Sequence, residues 1–471
     1  MTIFPIILAA GQGTRMRSSI PKVLHPIGGK PMLQHVIESC QQLDVDKIAI
    51  VYGHGGEQVQ QVINADLDAG NNAKTSTENS AENFVWVQQK EQKGTGHAVA
   101  QAESYINDDA VVIIAYGDVP LIKSETLSQL ANKLEEAVLV VLTVVQDDPT
   151  GYGRIVRNAQ GKIESIVEHK DANQEQLQIQ EVNTGFIAAR GRDLKRWLKD
   201  ITPNNSQGEY YLTDCIALAV KEGGVVEAVI CDYPLEVEGV NDRIQQAKIE
   251  RAFQVMQAKK LLEAGITLVD PARIDIRGKL EAGKDVSIDV NNVFIGNVEL
   301  GDRVVIESGC VIKDAQIGDY CLVKANSVID SAIIENNCDI GPFARVRPDT
   351  LIKENAKVGN FVEIKKSVIG KGSKVSHLAY IGDTQMGEDV NIGAGTITCN
   401  YDGANKHLTT IGDRVFVGSD TQLVAPVTIG NDATIGAGST INKDAPAGEL
   451  TLSRSKQHTI KGWQKPQRNR K

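Results

Sequence analysis

The sequence predicts two domains of different architecture, an α/β domain on a mostly parallel sheet and then a parallel β-helix, with a long helix between them. Three observations carry this. Up to about residue 240, short continuous apolar runs alternate with helical stretches and glycine turns. From Arg243 to Ala264 there is neither glycine nor proline. After about residue 290 an apolar residue recurs every five or six positions. The boundaries read as 1–243, 244–264 and 265–471.

The apolar runs PIILAA (5–10), KIAIVYG (47–53), FVWVQ (84–88), VVIIAYGD (111–118), VLVVLTVV (138–145) and FIAAR (186–190) are the expected strands. Runs without polar alternation are buried on both faces, which means helices on both sides of a mostly parallel sheet. The Asn-, Ser- and Gly-rich stretch 64–83 reads as an exposed excursion. The segment 243–264 fits a helix stopped by Gly265, spanning roughly 33 Å at 1.5 Å per residue. The later repeat runs from Ile295, Leu300, Ile306 and Ile312 onward to Thr398 and resumes from Ile411 to Ile441, often with Gly next in line. A period near six is neither 2 nor 3.6. It is the hexapeptide pattern of a β-helix, with three hexads per triangular coil and the apolar residue inward. CNYDGANKHLTT (399–410) interrupts it and reads as an inserted loop.

Hydrophobic residues at 41% and charged residues at 23% are globular values and exclude wholesale disorder. Aromatics at 4% disfavour a base-stacking surface, and a net charge of −10 disfavours generic nucleic-acid binding. No apolar run approaches the ~20 residues of a membrane helix. MTIFPIILAA lacks a basic leader and runs into glycines, so no export signal is expected and the chain reads as soluble, with no membrane partner. The seven cysteines are scattered singly, without C-x-x-C, and read as free thiols of a reducing cytoplasm.

L-A-A-G-Q-G-T-R-M (8–16) directly follows a strand. It lacks the G-K-[ST] of a Walker A loop, and Met16 stands where a dinucleotide fingerprint has its third Gly. Alone it could be a structural turn. Arg15 and Lys22 add two cations beside it, an arrangement suited to a polyphosphate. Asp118 in YGDVPL closes a buried strand, where it could ligate Mg²⁺ or cap a turn. In the repeats, His377 stands in SHLAYIGD, near Tyr380 and one coil from Lys365. It could be a surface filler or a base for amine acylation. Arg347 and Lys365 suit a sugar phosphate. The basic end KGWQKPQRNRK (461–471) reads as a solvated tail or a contact for cofactor phosphates.

As a set, LAAGQGTRM, PKVLH, GTGHA (94–98), YGDVPL, GYGRI, VEHKD, NTG and GEYYLTD resemble the sugar nucleotidyltransferases. With the repeats, nearly the whole chain resembles the family of bifunctional N-acetylglucosamine-1-phosphate uridylyltransferase and glucosamine-1-phosphate N-acetyltransferase. The resemblance implies an α/β nucleotidyltransferase domain with a Rossmann-like sheet, joined by the helix to a left-handed parallel β-helix. It implies a cytoplasmic homotrimer acting on small molecules: UTP, acetyl-CoA, glucosamine 1-phosphate and N-acetylglucosamine 1-phosphate, with Mg²⁺. By resemblance Leu8, Ala9, Ala10, Gly11, Gln89, Gly94 and Thr95 would contact the nucleotide, beside Tyr116 and Gly117. Arg15 and Lys22 would neutralise phosphate charge, Asp118 and Asn241 would hold the metal, and Gly153, Glu168 and Asn183 would grip the amino sugar. Gln12 stands where members often carry Lys.

In the repeats the resemblance makes His377 the general base of acetyl transfer, with Glu363 supporting it. Arg347, Lys365, Tyr380, Asn391 and Lys406 would bind the amino-sugar phosphate, and Ala394, Asn400, Tyr401, Ser419, Ala437 and Arg454 the acetyl-CoA, between subunits. Ser455 and Lys456 replace a more apolar pair. Two rivals remain open at this stage: a single-function nucleotidyltransferase on a structural β-helix, and a non-catalytic regulatory subunit.

Overall fold

The structure, a computed structural model, describes residues 2–11, 13–53, 55–71 and 83–466. The chain divides into two compact units, Met1–Phe253 and Gln254–Lys471.

Among the described residues the first unit is built on a nine-stranded sheet. Its main path runs Val226–Cys231, Leu139–Val145, Glu181–Arg190, Val111–Tyr116, Ile3–Ala9, Ile48–Tyr52 and Phe84–Gln88. Pairing is parallel except at Glu181–Arg190, which runs antiparallel to both neighbours. Because side chains alternate across a strand, Ile3–Ala9 serves two cores. Ile7 and Ala9 pack with Leu33, Ile37 and Leu127 from the helices Met32–Gln41 and Ser124–Lys133. Phe4, Ile6 and Leu8 pack on the other face with Val99, Trp197 and Ile216. That is why the strand shows no polar alternation. Successive connections leave Ile3–Ala9 on opposite sides, so the strand order reverses there. The crevice outside the carboxyl ends of Ile3–Ala9 and Val111–Tyr116 is where such sheets place ligands.

Two features differ from expectation. The hairpin Arg154–Arg157 with Ile163–Val167 was not legible as strands, because its short runs are interrupted by charged residues, of which Arg154 is buried. The first part of the excursion expected over 64–83 is instead helical, within Gly56–Asn71; residues 72–82 lie outside those described. The long helix is Arg243–Glu263. Its first part belongs to the first unit, with the Phe253 ring edge-on to His35 and the Glu250 carboxylate accepting the Gly28 N–H at 2.7 Å. Its second part belongs to the other unit, where the buried Gln254 amide exchanges two hydrogen bonds with the backbone of Ile276.

Among the described residues the second unit is a parallel β-helix, with an eleven-stranded sheet and a seventeen-stranded sheet that carries two interleaved ladders. Facing residues are one coil apart: Leu322 lies against Asp339, and Asp339 against Lys357. The hexad residues from Leu300 to Ile441 point inward as the period predicts, with Ile306, Ile340, Ile364, Ile381 and Ile429 fully buried. Ile295 is the exception. Asn292–Leu300 is a nine-residue strand paired along its length with Ile274–Ala282, and the strict alternation of so long a strand turns Phe294 inward and Ile295 partly out.

The sequence reading missed a second inward position, two residues before each hexad residue. It is filled mostly by small side chains such as Cys310, Ala315, Cys321, Ser327, Cys338, Ala344 and Ser373, and by valine at Val304, Val362, Val390, Val415 and Val427. Three of the scattered cysteines are thereby core residues, and all seven are free. Burial pushes the Cys310 thiol up to about 11.

Candidate functional site

In the first unit, a cavity of about 330 Å³ opens at the strand-order reversal, lined by Leu8 to Gly11, Lys22, Gln89, Gly94, Thr95, Tyr116 and Asp118. A second cavity of about 210 Å³ shares Thr95 and Tyr116 with it and adds Glu168 and Asn183. The structure thus gathers most of the expected uridylyl-site residues into two adjoining spaces. The wall common to both includes Glu209, and Tyr211 and Thr213 line the smaller cavity. These three lie in the GEYYLTD motif but were not singled out. Gln92, also missed, lines the larger cavity, and its amide donates to the Ala10 carbonyl. Arg15 does not line either cavity; it is exposed on the turn Thr14–Met16. Gln12 lies outside the described residues.

Local backbone explains the placement. Gly94 has φ 107°, and a Cβ there would stand 2.6 Å from the Tyr210 carbonyl, so this strand-to-helix turn requires glycine to let Glu209–Leu212 form the shared wall. The Thr95 hydroxyl then accepts the Leu212 N–H at 3.1 Å. Buried Gln89 is held by its amide group, which donates to the Gly94 carbonyl at 3.2 Å and to His97 at 3.1 Å. Gly117 donates its N–H to the Leu8 carbonyl at 3.0 Å, tying the two strand ends together.

Asp118 and Asn241 converge although 123 positions separate them. The Val240 N–H bonds the Asp118 carbonyl at 2.9 Å, which brings the loop before the long helix over the strand end. The Lys22 ammonium donates to the Asp118 carboxylate and, at 3.1 Å, to the side-chain amide oxygen of Asn241. Among the described residues no cluster of three or more His, Cys, Asp or Glu could hold a metal. Two hard oxygens around one cation fit Mg²⁺, which takes few protein ligands and fills its remaining positions with phosphate oxygens and water.

On the sugar side, Gly153 packs under Glu168, and a Cβ there would meet its carboxylate at 3.3 Å. The Gly153 carbonyl accepts the Asn183 N–H at 2.9 Å. Burial first, then the neighbouring Asp171, raises the Glu168 pKa, against a hydrogen bond from Thr213. Burial, then Asp118 and Glu168, also drives the Tyr116 phenol well above its ordinary value.

In the β-helix the ladder register makes a site from residues far apart in sequence. Glu363 lies against Tyr380 and Lys365 against Gly382. The Lys365 ammonium is 3.1 Å from the Asp383 carboxylate, which also accepts the Asn400 amide, and Arg347 donates to Glu363 at 2.8 Å. Lys406 stands beside Lys365, whose charge, with that of Arg347, depresses its pKa. Three cations therefore gather at one place, offset by two carboxylates, ready to receive a dianion. Asn391 lies one coil on from the strand of His377, facing Lys374.

His377 is exposed, and Asn360 faces it from the previous coil. The His377 Nδ1 is 2.6 Å from the Asn360 amide oxygen. An amide oxygen only accepts, so Nδ1 carries a proton, and in the neutral ring the lone pair is on Nε2. Asn360 was not singled out from the sequence, because only the coil register brings it to His377.

Ala394, Ser419, Ala437 and Arg454 follow one another along a solenoid corner. The Ala394 carbonyl accepts from Asp420, the Ser419 carbonyl from Gly438, and the Ala437 carbonyl from the Arg454 guanidinium at 3.0 Å. Asn400 is buried beside Asp383, while Tyr401 is exposed in the inserted loop.

Residues 5–179 match the family of MobA-like NTP transferase domains. Residues 315–341 match the hexapeptide repeat of succinyl-transferase, and 408–443 the bacterial transferase hexapeptide (six repeats). The chain is 54% identical over 463 residues to the bifunctional protein GlmU of Marinobacter nauticus, covering 98% of each sequence. A crystal structure of UDP-glucose pyrophosphorylase complexed with UDP-glucose is 21% identical, with a TM-score of 0.43, over 54% of this chain and 98% of its own.

Proposed function

Because the chain belongs to the family of the bifunctional protein GlmU, we propose that it makes UDP-N-acetylglucosamine in two steps. The β-helix acetylates glucosamine 1-phosphate with acetyl-CoA, and the α/β unit transfers UMP from UTP to N-acetylglucosamine 1-phosphate. The observation that carries this reading is the span of the family match, which includes both candidate sites.

In acetyl transfer the amine of glucosamine 1-phosphate attacks the thioester carbonyl, the C–S bond breaks, and coenzyme A leaves as the thiol. His377 Nε2, the ring nitrogen that bears the lone pair in the neutral tautomer set by Asn360, takes the proton the amine sheds and returns it to the departing thiolate. Arg347, Lys365 and Lys406 bind the phosphate. The corner Ala394–Ser419–Ala437 offers small side chains and backbone to the acetyl-CoA, with Asn400, Tyr401 and Arg454 around it.

In uridylyl transfer an oxygen of the sugar phosphate attacks the α-phosphorus and pyrophosphate leaves. No protein nucleophile is needed, so positioning and charge carry the catalysis. Leu8–Gly11, Gln89, Gly94 and Thr95 hold the nucleotide, and Glu168 and Asn183 hold the sugar. Asp118 and Asn241 would hold Mg²⁺, which when bound supplies positive charge against the polyphosphate. Lys22 places a second cation beside it. Arg15 is exposed and lines neither cavity, so the cation placed against the phosphates in this structure is Lys22.

The same reading includes a homotrimer in the cytoplasm, supplying precursor for peptidoglycan and lipopolysaccharide. Free thiols support a reducing compartment. An apolar ladder on one solenoid corner supports self-association: Phe343 and Phe361 are stacked at 5.2 Å and both exposed, with Leu378 in the next coil.

Paired variants test the assignment. Asp118→Asn should lower uridylyl transfer about a hundredfold or more and spare acetylation. His377→Ala should do the reverse, by about 10²–10⁴-fold. Loss of both activities in either folded variant would contradict independent sites.

A further inference from the structure

The inserted segment between strands Ile397–Cys399 and Thr409–Ile411 is an ordered hairpin. Tyr401 and Lys406 form an antiparallel bridge, and the His407 N–H donates to the Asn400 carbonyl at 2.8 Å. Its tip is organised around one carboxylate. Asp402 accepts the N–H of Asn405 at 2.7 Å and of Ala404 at 2.8 Å, and its other oxygen lies 2.6 Å from His407 Nε2. A carboxylate only accepts here, so Nε2 carries the proton and donates. Both ends of the hairpin meet one group: Lys406 stands beside Lys365, and Asn400 bonds Asp383, whose carboxylate is 3.1 Å from the Lys365 ammonium.

We propose that His407 is a positioning residue for acetyl transfer, closing the hairpin onto Asp402 so that Lys406 and Asn400 are presented together. The inference rests on the acetyl-transfer reading above. The hairpin is long, and its backbone bonds pin it at Asn400 and at the Asp402–Asn405 turn. The His407 side chain, immediately after Lys406, adds a link across it to Asp402, beside the Tyr401 hydroxyl's bond to the Gly403 carbonyl at 2.6 Å. The Asp402 carboxyl is held well below the usual carboxylate range by the Asn405 amide, then His407 and Ala404, so the acceptor stays ionised at neutral pH. Without that link Lys406 must be ordered by the substrate itself, and this ordering is taken from binding rather than from the chemical step.

The test is steady-state kinetics of both activities on the full chain. His407→Ala should raise KM for glucosamine 1-phosphate about tenfold and leave kcat for acetylation within about twofold. His407→Gln, whose amide N–H can reach the same carboxylate, should recover most of that loss. Asp402→Asn should reproduce the alanine effect, and the double variant should be no worse than either single one. Uridylyl transfer should be unchanged throughout. An unaltered KM in His407→Ala overturns the inference, as does a fall in kcat shared by the glutamine variant. If the alanine variant fails to fold, the glutamine and Asp402→Asn variants decide by the same KM criterion. An unmodified protein that does not acetylate refutes the acetyl-transfer reading itself, a result distinct from either outcome for His407.

Discussion

Asn360→Ala removes the acceptor that fixes the His377 tautomer without touching the base itself. The bond is short, 2.6 Å, but both residues sit at the solenoid surface, where water can replace the lost partner. A neutral hydrogen bond contributes about 0.5–1.5 kcal/mol, and access to water places this one toward the low end. At 1.36 kcal/mol per decade that range is roughly two- to twelvefold in rate, and we expect about threefold. Removing the base altogether should cost about 10²–10⁴. The assay is release of the coenzyme A thiol at saturating substrates, with uridylyl transfer as the control for folding. A loss as large as that of His377→Ala would mean that Asn360 does more than orient the ring. No loss at all would mean that the tautomer is fixed some other way and that this account of the base is wrong.

Gly94→Ala should reduce uridylyl transfer at least tenfold and leave acetylation intact, since the new Cβ meets the Tyr210 carbonyl at 2.6 Å with φ at 107°; paired assays of the two reactions check it. Ile364→Ala should destabilise the β-helix by about 2–5 kcal/mol, read from urea unfolding. Ile295→Ala should cost about 1 kcal/mol or less, because that side chain is only partly buried. Equal losses would restore Ile295 to the inward register.

Much of the architecture was legible because it rests on repetition. A period near six can be satisfied only by a coil whose corners recur, so Leu300 and its successors identify the solenoid interior without further knowledge. Ile295 misled for a physical reason: its strand is long enough for simple alternation to override the hexad count. The second inward position was illegible because Cys, Ser, Thr, Ala and Val share no hydropathy signal, only a size limit. Parallel runs in the first unit were legible from unbroken apolarity, but strand direction is not written in composition, so the antiparallel Glu181–Arg190 was missed.

Site residues divided along similar lines. Those joined to glycine-rich turns, such as Leu8–Gly11 and Gly94, could be found from local chemistry. Glu209, Asn360 and Asp383 could not, because what makes them matter is a wall shared by two cavities or a neighbour one coil away. The convergence of Lys22, Asp118 and Asn241 required the long-range pairing of Val240 with Asp118. Resemblance to a family supplied Asn241, which the pattern of its own neighbourhood did not mark.

The most direct measurement is a mass spectrum of the products formed by the full chain from glucosamine 1-phosphate, acetyl-CoA, UTP and Mg²⁺. The account predicts UDP-N-acetylglucosamine, pyrophosphate and free coenzyme A, with N-acetylglucosamine 1-phosphate as the intermediate. If UDP-N-acetylglucosamine formed only when N-acetylglucosamine 1-phosphate was supplied, the β-helix would be scaffolding and the bifunctional reading would fail.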